Sequence, residues 1–198
     1  MVKRLFDVLA SALGLVILTP IMLIIAAAVR LDSRGPALFR QVRVGRRGRN
    51  FEILKFRSMR SAPSHSGPLI SKMGDPRITK VGAFLRRKKL DELPQLFNVL
   101  IGDMSLVGPR PEVPKYVALY PAELRNLILS VRPGMTDKAS IEFRDEAALL
   151  AEATDAERIY IDVILPRKLQ IYASYVKNRS FVTDLSIIVS TLRLFFSH

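Results

Sequence analysis

The chain changes its hydrophobic pattern three times. Residues 8–29 form an uncharged, almost wholly apolar run of 22 residues. At ~1.5 Å rise per residue, a straight helix over that run would reach roughly 33 Å, enough to cross a bilayer. Pro20 stands near its middle, behind Thr19; proline removes a helical hydrogen bond and clashes with the preceding turn. Broken there, arms over 8–18 and 21–29 would reach about 16 and 14 Å, so that neither spans alone but both together could enter and leave a membrane by one face. Residues 38–44 and 51–56 then read as strands around the Gly- and Arg-rich turn 45–50, a hairpin with Leu54 and Phe56 on one face and Lys55 and Arg57 on the other. Residues 58–74, with two Pro, two Gly and five Ser, read as a mobile loop.

Beyond the loop the period becomes helical. Over 80–90, Val81, Phe84 and Leu85 make a narrow apolar stripe flanked by Arg86, Arg87, Lys88 and Lys89, suited to a bilayer interface. Further helices are predicted over 93–100, 117–131, 147–153, 156–165, 167–176 and 182–196, punctuated by prolines. In the last, Leu185, Ile188, Val189, Leu192 and Phe196 share a stripe expected to face core or an interface, because Asp184 and Arg193 interrupt it. The predicted class is α+β and mainly helical: a broken, re-entrant N-terminal membrane helix, a small β-hairpin and amphipathic interface helices. Residues 1–30 are expected to form the membrane hairpin, and 31–198 one cytoplasmic unit packed on the interface.

Charge sharpens this picture. The 198 residues carry a net +13, yet residues 1–90 alone hold 19 Lys and Arg against 4 Asp and Glu, a net +15. A chain both basic and of positive mean hydropathy, +0.19, points to an anionic membrane surface more than to nucleic acid. Lys3 and Arg4 precede the apolar run, and seven arginines between Arg30 and Arg49 follow it. Positive flanks on both sides are expected when both ends face the same cytoplasmic leaflet. A buried core helix is disfavoured, since helices apolar on all sides are rare in a domain this small. A signal peptide, with cleavage near Ala26–Ala28, would make no sense of the motifs that follow. With no Cys and only His65 and His198, thiol nucleophiles, disulfides and thiolate or imidazole metal sites fall away.

Chemistry concentrates in Arg86-Arg87-Lys88-Lys89-Leu90-Asp91-Glu92-Leu93-Pro94-Gln95. Asp91 reads as a helix N-cap, held ionised by the helix end and by four cations that would also attract phosphate. Adjacent carboxylates can divide labour, one attacking or holding a metal and the other handling a proton; a capping Asp beside a solvated Glu is the plainer alternative. Arg110 stands between Pro109 and Pro111 on a stiff loop suited to bidentate phosphate capture, or to an ordinary turn. Any divalent ion would need oxygen ligands, which favours magnesium.

Five motifs occur in order: Lys3-Arg4 with the Thr19-Pro20 helix, Leu54 to Met59, Leu90 to Asn98, Gly102 to Ser105, and Val107 to Pro111. In this register the chain closely resembles the bacterial sugar transferases, the small monotopic phosphoglycosyl transferases. The resemblance implies transfer of a phospho-sugar from a UDP-sugar to polyprenyl (undecaprenyl) phosphate with Mg2+ and release of UMP, the first membrane step of glycoconjugate assembly, at the cytoplasmic face of the bacterial inner membrane. It implies Asp91 as nucleophile and Mg2+ contact, passing through a phosphosugar-aspartyl intermediate, and Glu92 as proton acceptor or supporting base. It also implies Arg86 and Arg110 as phosphate ligands, with Lys55, Arg57 and Asn98 beside them, Thr19 and Pro20 as the helix break, and Lys3 and Arg4 as interface charges. Where relatives often have Ser-Pro the chain has Thr19-Pro20, and Thr136-Asp137-Lys138-Ala139-Ser140 replaces the common Thr-Gly-x-Ala-Gln, which leaves the sugar open. The chain is expected to match the minimal catalytic unit, with no nucleic-acid partner and with room for a homodimer. The alternative reading is a membrane-tethered basic protein that binds nucleic acid or anionic lipid; it accounts for the charge but not for Asp91-Glu92 or the Pro-Arg-Pro loop.

Overall fold

A computed structural model describes residues 2–60, 74–151 and 153–196, so most of the loop expected over 58–74 lies outside the described residues. The apolar run belongs to a single helix, α1 (Val2–Asp32), with Pro20 in its interior. The break expected at Thr19-Pro20 therefore does not end the helix. Thr19 Oγ1 donates to Leu15 O at 2.6 Å, occupying a carbonyl next to the one that loses its partner to proline. No residue from Val16 to Ile24 is buried, so packing does not oppose a local adjustment there.

One stripe of α1 is sequestered: Asp7, Ser11, Leu15, Ile25 and Val29. The opposite face is bare, with Leu5, Leu9, Leu13, Val16, Ile17 and Ile24 each 60% exposed or more. Both ends are fastened to the same body. At one end Lys3 pairs with Asp184 and Arg4 donates to Val99 O and Leu100 O. At the other, Asp32 Oδ2 accepts from Val81 N–H at 3.1 Å.

Strands β1 (Leu38–Val44) and β2 (Asn50–Phe56) form the expected hairpin, antiparallel with Phe39 opposite Lys55 and Arg43 opposite Phe51. A short 3-10 turn, Arg46–Gly48, joins them, with Arg47 in the left-handed region at φ 58°. Both faces of β2 are covered at its end. Phe56 packs with Ile25, Val29 and Leu85, and Ile53 with Val99 and Met104. The expected polar face is therefore not solvent-facing. Helix α2 (Lys80–Arg87) starts at Thr79, whose Oγ1 accepts from Gly82 N–H at 3.0 Å. Its stripe divides: Leu85 is buried and Val81 packs beside it, while Phe84 stays exposed.

Helix α3 (Gln95–Ile101) leads through Gly102, at φ 100°, into β3 (Ser105–Val107). That strand pairs in parallel with β4 (Gly134–Thr136). Gly108 and Gly134 sit back to back, and a Cβ on Gly134 would lie 2.1 Å from Gly108 N; only glycine permits that approach. The helix expected over 117–131 is two, α4 (Pro114–Val117) and α5 (Ala122–Ile128), because Pro121 is extended at ψ 137° and opens the second. Helices α6 (Lys138–Glu142) and α7 (Glu146–Ala151) follow. By contrast, the break expected at Pro166 is absent. Helix α8 (Ala156–Ile159) continues through a π turn, Tyr160–Ile164, into α9 (Leu165–Asn178), and Pro166 follows that turn directly, where the wider register accommodates a missing N–H. Around α9 collect Tyr116, Tyr120, Ile128, Leu150, Tyr160 and Tyr172, the largest core.

Helix α10 (Phe181–Phe196) is rotated from expectation. Asp184 and Ile187 face inward and Ile188 of the expected stripe packs beside them, while Leu185, Val189 and Leu192 are exposed; the side chain of Phe196 lies outside the described residues. Asp184 fixes the rotation by bonding Lys3 and Tyr175, so the polar residue that interrupts the stripe is the one that packs.

Candidate active site

After α2 the chain turns through Lys89, in the left-handed region at φ 54°, into a 3-10 turn, Leu90–Glu92. Leu93 and Pro94 continue with helical angles into α3. Asp91 is therefore inside a continuous helical stretch and not an N-cap; it makes no side-chain capping bond. Both carboxylates are buried. This placement presents the pair between β2, the Gly108–Pro111 loop and the end of α2.

Glu92 is the hub. Lys55 Nζ donates to its Oε1 at 2.8 Å, and Arg110 grips both oxygens through Nη1 (3.1 Å) and Nη2. Burial works to raise the Glu92 carboxyl, but the charges of Arg110 and Lys55 outweigh it and hold the group well below the ordinary carboxylate range. Glu92 in turn raises Arg110 against burial, whereas burial lowers the Lys55 ammonium despite Glu92. A carboxylate so engaged is a poor proton acceptor. In this geometry Glu92 is a fixed anion holding two cations.

Asp91 is the opposite case. Burial and the Glu92 charge raise its carboxyl, opposed by Lys55, Arg86 and Lys89. Its Oδ1 is buried without a hydrogen-bond partner, and so are both Oε1 and Nε2 of Gln95. Four residues apart in one helical stretch, Asp91 and Gln95 lie on the same face. Unpaired buried polar atoms cost about 1–3 kcal/mol each, so a ligand or water meeting these atoms would be stabilised. Two unpaired oxygens suit a hard cation that also takes phosphate and water oxygens. Among the described residues no cluster of three His, Cys, Asp or Glu could hold a metal by itself. Gln95 was legible only as a motif letter; its i, i+4 relation to Asp91 is the signal that marks it.

A further pair was missed in the sequence. Arg43 Nη1 donates to Pro111 O at 3.0 Å and to Glu112 Oε2 at 3.4 Å, and Tyr160 hydroxyl donates to Glu112 Oε1 at 2.6 Å. They brace the loop that carries Arg110, from the same hairpin face as Lys55.

Asp91, Glu92, Lys55 and Arg110 thus come together, with Arg86 acting on Asp91 through its charge. Two other candidates do not join them. Arg57 is buried and donates to Ser33 O (2.7 Å), Val29 O (3.2 Å) and Arg34 O, capping the C-terminal end of α1. Asn98 is consumed by β2, accepting from Leu54 N–H at 3.0 Å and donating to Glu52 O at 2.8 Å. Both side chains are thus engaged with backbone groups, Arg57 keeping its Nε unpaired. Lys3 and Arg4, expected as interface charges, are likewise directed into the body. Arg57→Met is expected to lower stability by about 2–3 kcal/mol through the orphaned carbonyls, measured by denaturant unfolding.

A sequence model of the family described as bacterial sugar transferase matches residues 1–198. The chain is 40% identical over 193 residues to the UDP-glucose:undecaprenyl-phosphate glucose-1-phosphate transferase of Klebsiella pneumoniae, covering 96% of this chain and 39% of that protein. It is 38% identical over 194 residues to the UDP-N-acetylgalactosamine-undecaprenyl-phosphate N-acetylgalactosaminephosphotransferase of Aeromonas hydrophila, covering 97% and 43%. To the UDP-glucose:undecaprenyl-phosphate glucose-1-phosphate transferase of Caulobacter vibrioides it is 38% identical over 201 residues, covering 96% and 68%. The chain thus spans about two fifths of the length of the first two.

Proposed function

Because the chain belongs to the bacterial sugar transferase family, we propose that it transfers a phospho-sugar from a UDP-sugar to polyprenyl phosphate and releases UMP. The observation that carries this reading is the contrast between neighbours: Asp91 has an unpaired buried oxygen, while Glu92 is tied to Arg110 and Lys55. One carboxylate is free to react and the other is locked. An Asp91 oxygen attacks the β-phosphorus, and the bond from that phosphorus to the bridging oxygen breaks, so that UMP departs with the electron pair. The phosphosugar-aspartyl anhydride is then attacked at the same phosphorus by an oxygen of the lipid phosphate, which restores the Asp91 carboxylate. Both nucleophiles are anions, so neither step needs a proton removed from the attacking atom, in keeping with a Glu92 that holds cations. Arg110 and Lys55 neutralise the phosphoryl oxygens as charge shifts. Mg2+, held by Asp91 with Gln95 beside it, would supply further charge neutralisation on the diphosphate.

The proposed placement is monotopic, on the cytoplasmic face of the inner membrane. Support comes from α1, whose two ends are fastened to one body while its outer face is bare and apolar. A helix tied to one body at both ends is held against a single membrane face, bringing the lipid phosphate to Asp91 along the membrane surface.

The experiment is to present the detergent-solubilised chain with Mg2+ and a panel of UDP-sugars, with and without polyprenyl phosphate. UMP release with acceptor, and a phosphosugar adduct on the intact chain without it, are expected. No turnover on any UDP-sugar, with salt-sensitive nucleic-acid binding instead, would overturn the reading. The acid limb of the pH–rate profile is expected above 3.8, the ordinary value for Asp, because burial disfavours the ionised nucleophile. Arg86→Gln is expected to move that limb higher, since it removes a charge that favours the carboxylate.

A further inference from the structure

The first two turns of α1 hold every residue of β3. Asp7 Oδ2 accepts from Ser105 Oγ at 2.8 Å, and its Oδ1 accepts from Leu106 N–H at 3.1 Å. Lys3 Nζ donates to Val107 O at 3.0 Å and pairs with Asp184. Tyr175 hydroxyl closes the group, donating to Asp184 Oδ1 at 2.6 Å and reaching Val107 O at 3.3 Å. Lys3 and Asp7 are four residues apart and so lie on one helix face; Asp7 and Asp184 are almost fully buried.

Strand β3 runs directly into Gly108-Pro109-Arg110. The two prolines restrict the backbone on either side of Arg110, and the loop is wedged from behind. Gly108 N–H donates to Thr136 O at 3.2 Å, Gly134 N–H donates to Pro109 O at 2.9 Å, and a Cβ on Gly108 would lie 2.6 Å from Arg132 O. A stiff loop wedged in this way transmits a shift of Val107 to the guanidinium that grips Glu92.

We propose that Asp7 and Lys3 are positioning residues for Arg110, so that the seating of the apolar helix α1 sets the Arg110–Glu92 contact through β3. Together they make α1 part of the catalytic frame. The inference rests on the proposed phosphoglycosyl transfer, but its structural half can be read without turnover.

The test compares Asp7→Leu with Asp7→Asn in the full-length chain. Leucine removes both acceptors. Asparagine can still accept from Leu106 N–H and meet Ser105 Oγ, so it should restore the wild-type behaviour. Asp7→Leu is expected to lower kcat roughly 10- to 100-fold, the scale of an ångström-level misplacement, with KM for the UDP-sugar little changed. Hydrogen exchange should rise at the amides of Leu106, Val107, Gly108 and Arg110, with α5 and α9 unaffected. Leu9→Ser on the bare face should weaken membrane pelleting and leave kcat in detergent unchanged. Should Asp7→Leu fail to fold, Ser105→Ala removes one of the same bonds without touching a charge, and a smaller effect in the same direction is expected. Unchanged kcat and unchanged exchange in the folded variant would overturn the proposal, as would a uniform rise in exchange across the chain. Localised exchange with an inactive wild type would instead sink the transferase reading and leave the β3 linkage standing.

Discussion

Asp91→Asn is expected to abolish UMP release, by about 10⁴-fold or more as for other nucleophile deletions, and to leave no phosphosugar adduct on the intact chain. Its effect on stability should have the opposite sign. The carboxylate is buried, with Oδ1 unpaired, and both burial and the Glu92 charge raise its carboxyl. At neutral pH the folded state therefore holds an ionised group it would rather protonate, and the neutral isostere relieves that. A melting temperature equal to or slightly above the parent's, together with lost activity, would show that stability is surrendered at this position for reactivity. Undiminished UMP release by the variant would end the nucleophile assignment. A marked fall in melting temperature would instead show that Asp91 carries the fold.

The same contrast explains what was legible in the sequence. Element type could be read wherever one influence dominates: β1 from alternation, α2 from its apolar stripe, and α1 from its uncharged length. The failures are places where two local rules compete. Pro20 and Pro166 look disruptive, yet both lie within continuous helix, Pro20 inside α1 and Pro166 directly after a π turn. Pro121 does break its segment, since it stands extended at the start of α5 and disfavours helical angles at the residue before it. For α10 the apolar stripe suggested the packed face, but a buried Asp184 bonded to Lys3 and Tyr175 decides the rotation. Among site residues the limit is chemical. Arg57 and Arg110 have identical donors and both stand near a turn, but Arg57 meets the C-terminal carbonyls of α1 and Arg110 meets a carboxylate. Only tertiary placement separates a residue that satisfies backbone from one that holds a carboxylate.

Glu92→Gln should produce the largest loss of stability among the site variants. Its carboxylate is the shared partner of Lys55 and Arg110, whose side chains are 19% and 25% exposed. An amide leaves two largely buried cations facing each other, and breaking such a pair from one side typically costs about 3–5 kcal/mol. For a domain of this size that corresponds to a fall in melting temperature on the order of 10 °C. A solvated glutamate would shift it by no more than a degree or two, since surface substitutions stay within about 0.5 kcal/mol. Turnover should fall as well, by roughly 10²-fold, because the cations meant for the phosphoryl oxygens are no longer held in place. The pH dependence tests the same contact. Glu92 is depressed in the folded state, so its contribution is fully present above its unfolded value, near 4.5, and is lost as pH falls through the folded value. Acid denaturation of the parent should therefore include a progressive loss of stability as pH falls below 4.5 that the Glu92→Gln variant lacks. Matching acid-unfolding curves for the two would mean that the Arg110–Glu92–Lys55 cluster does not hold the site together.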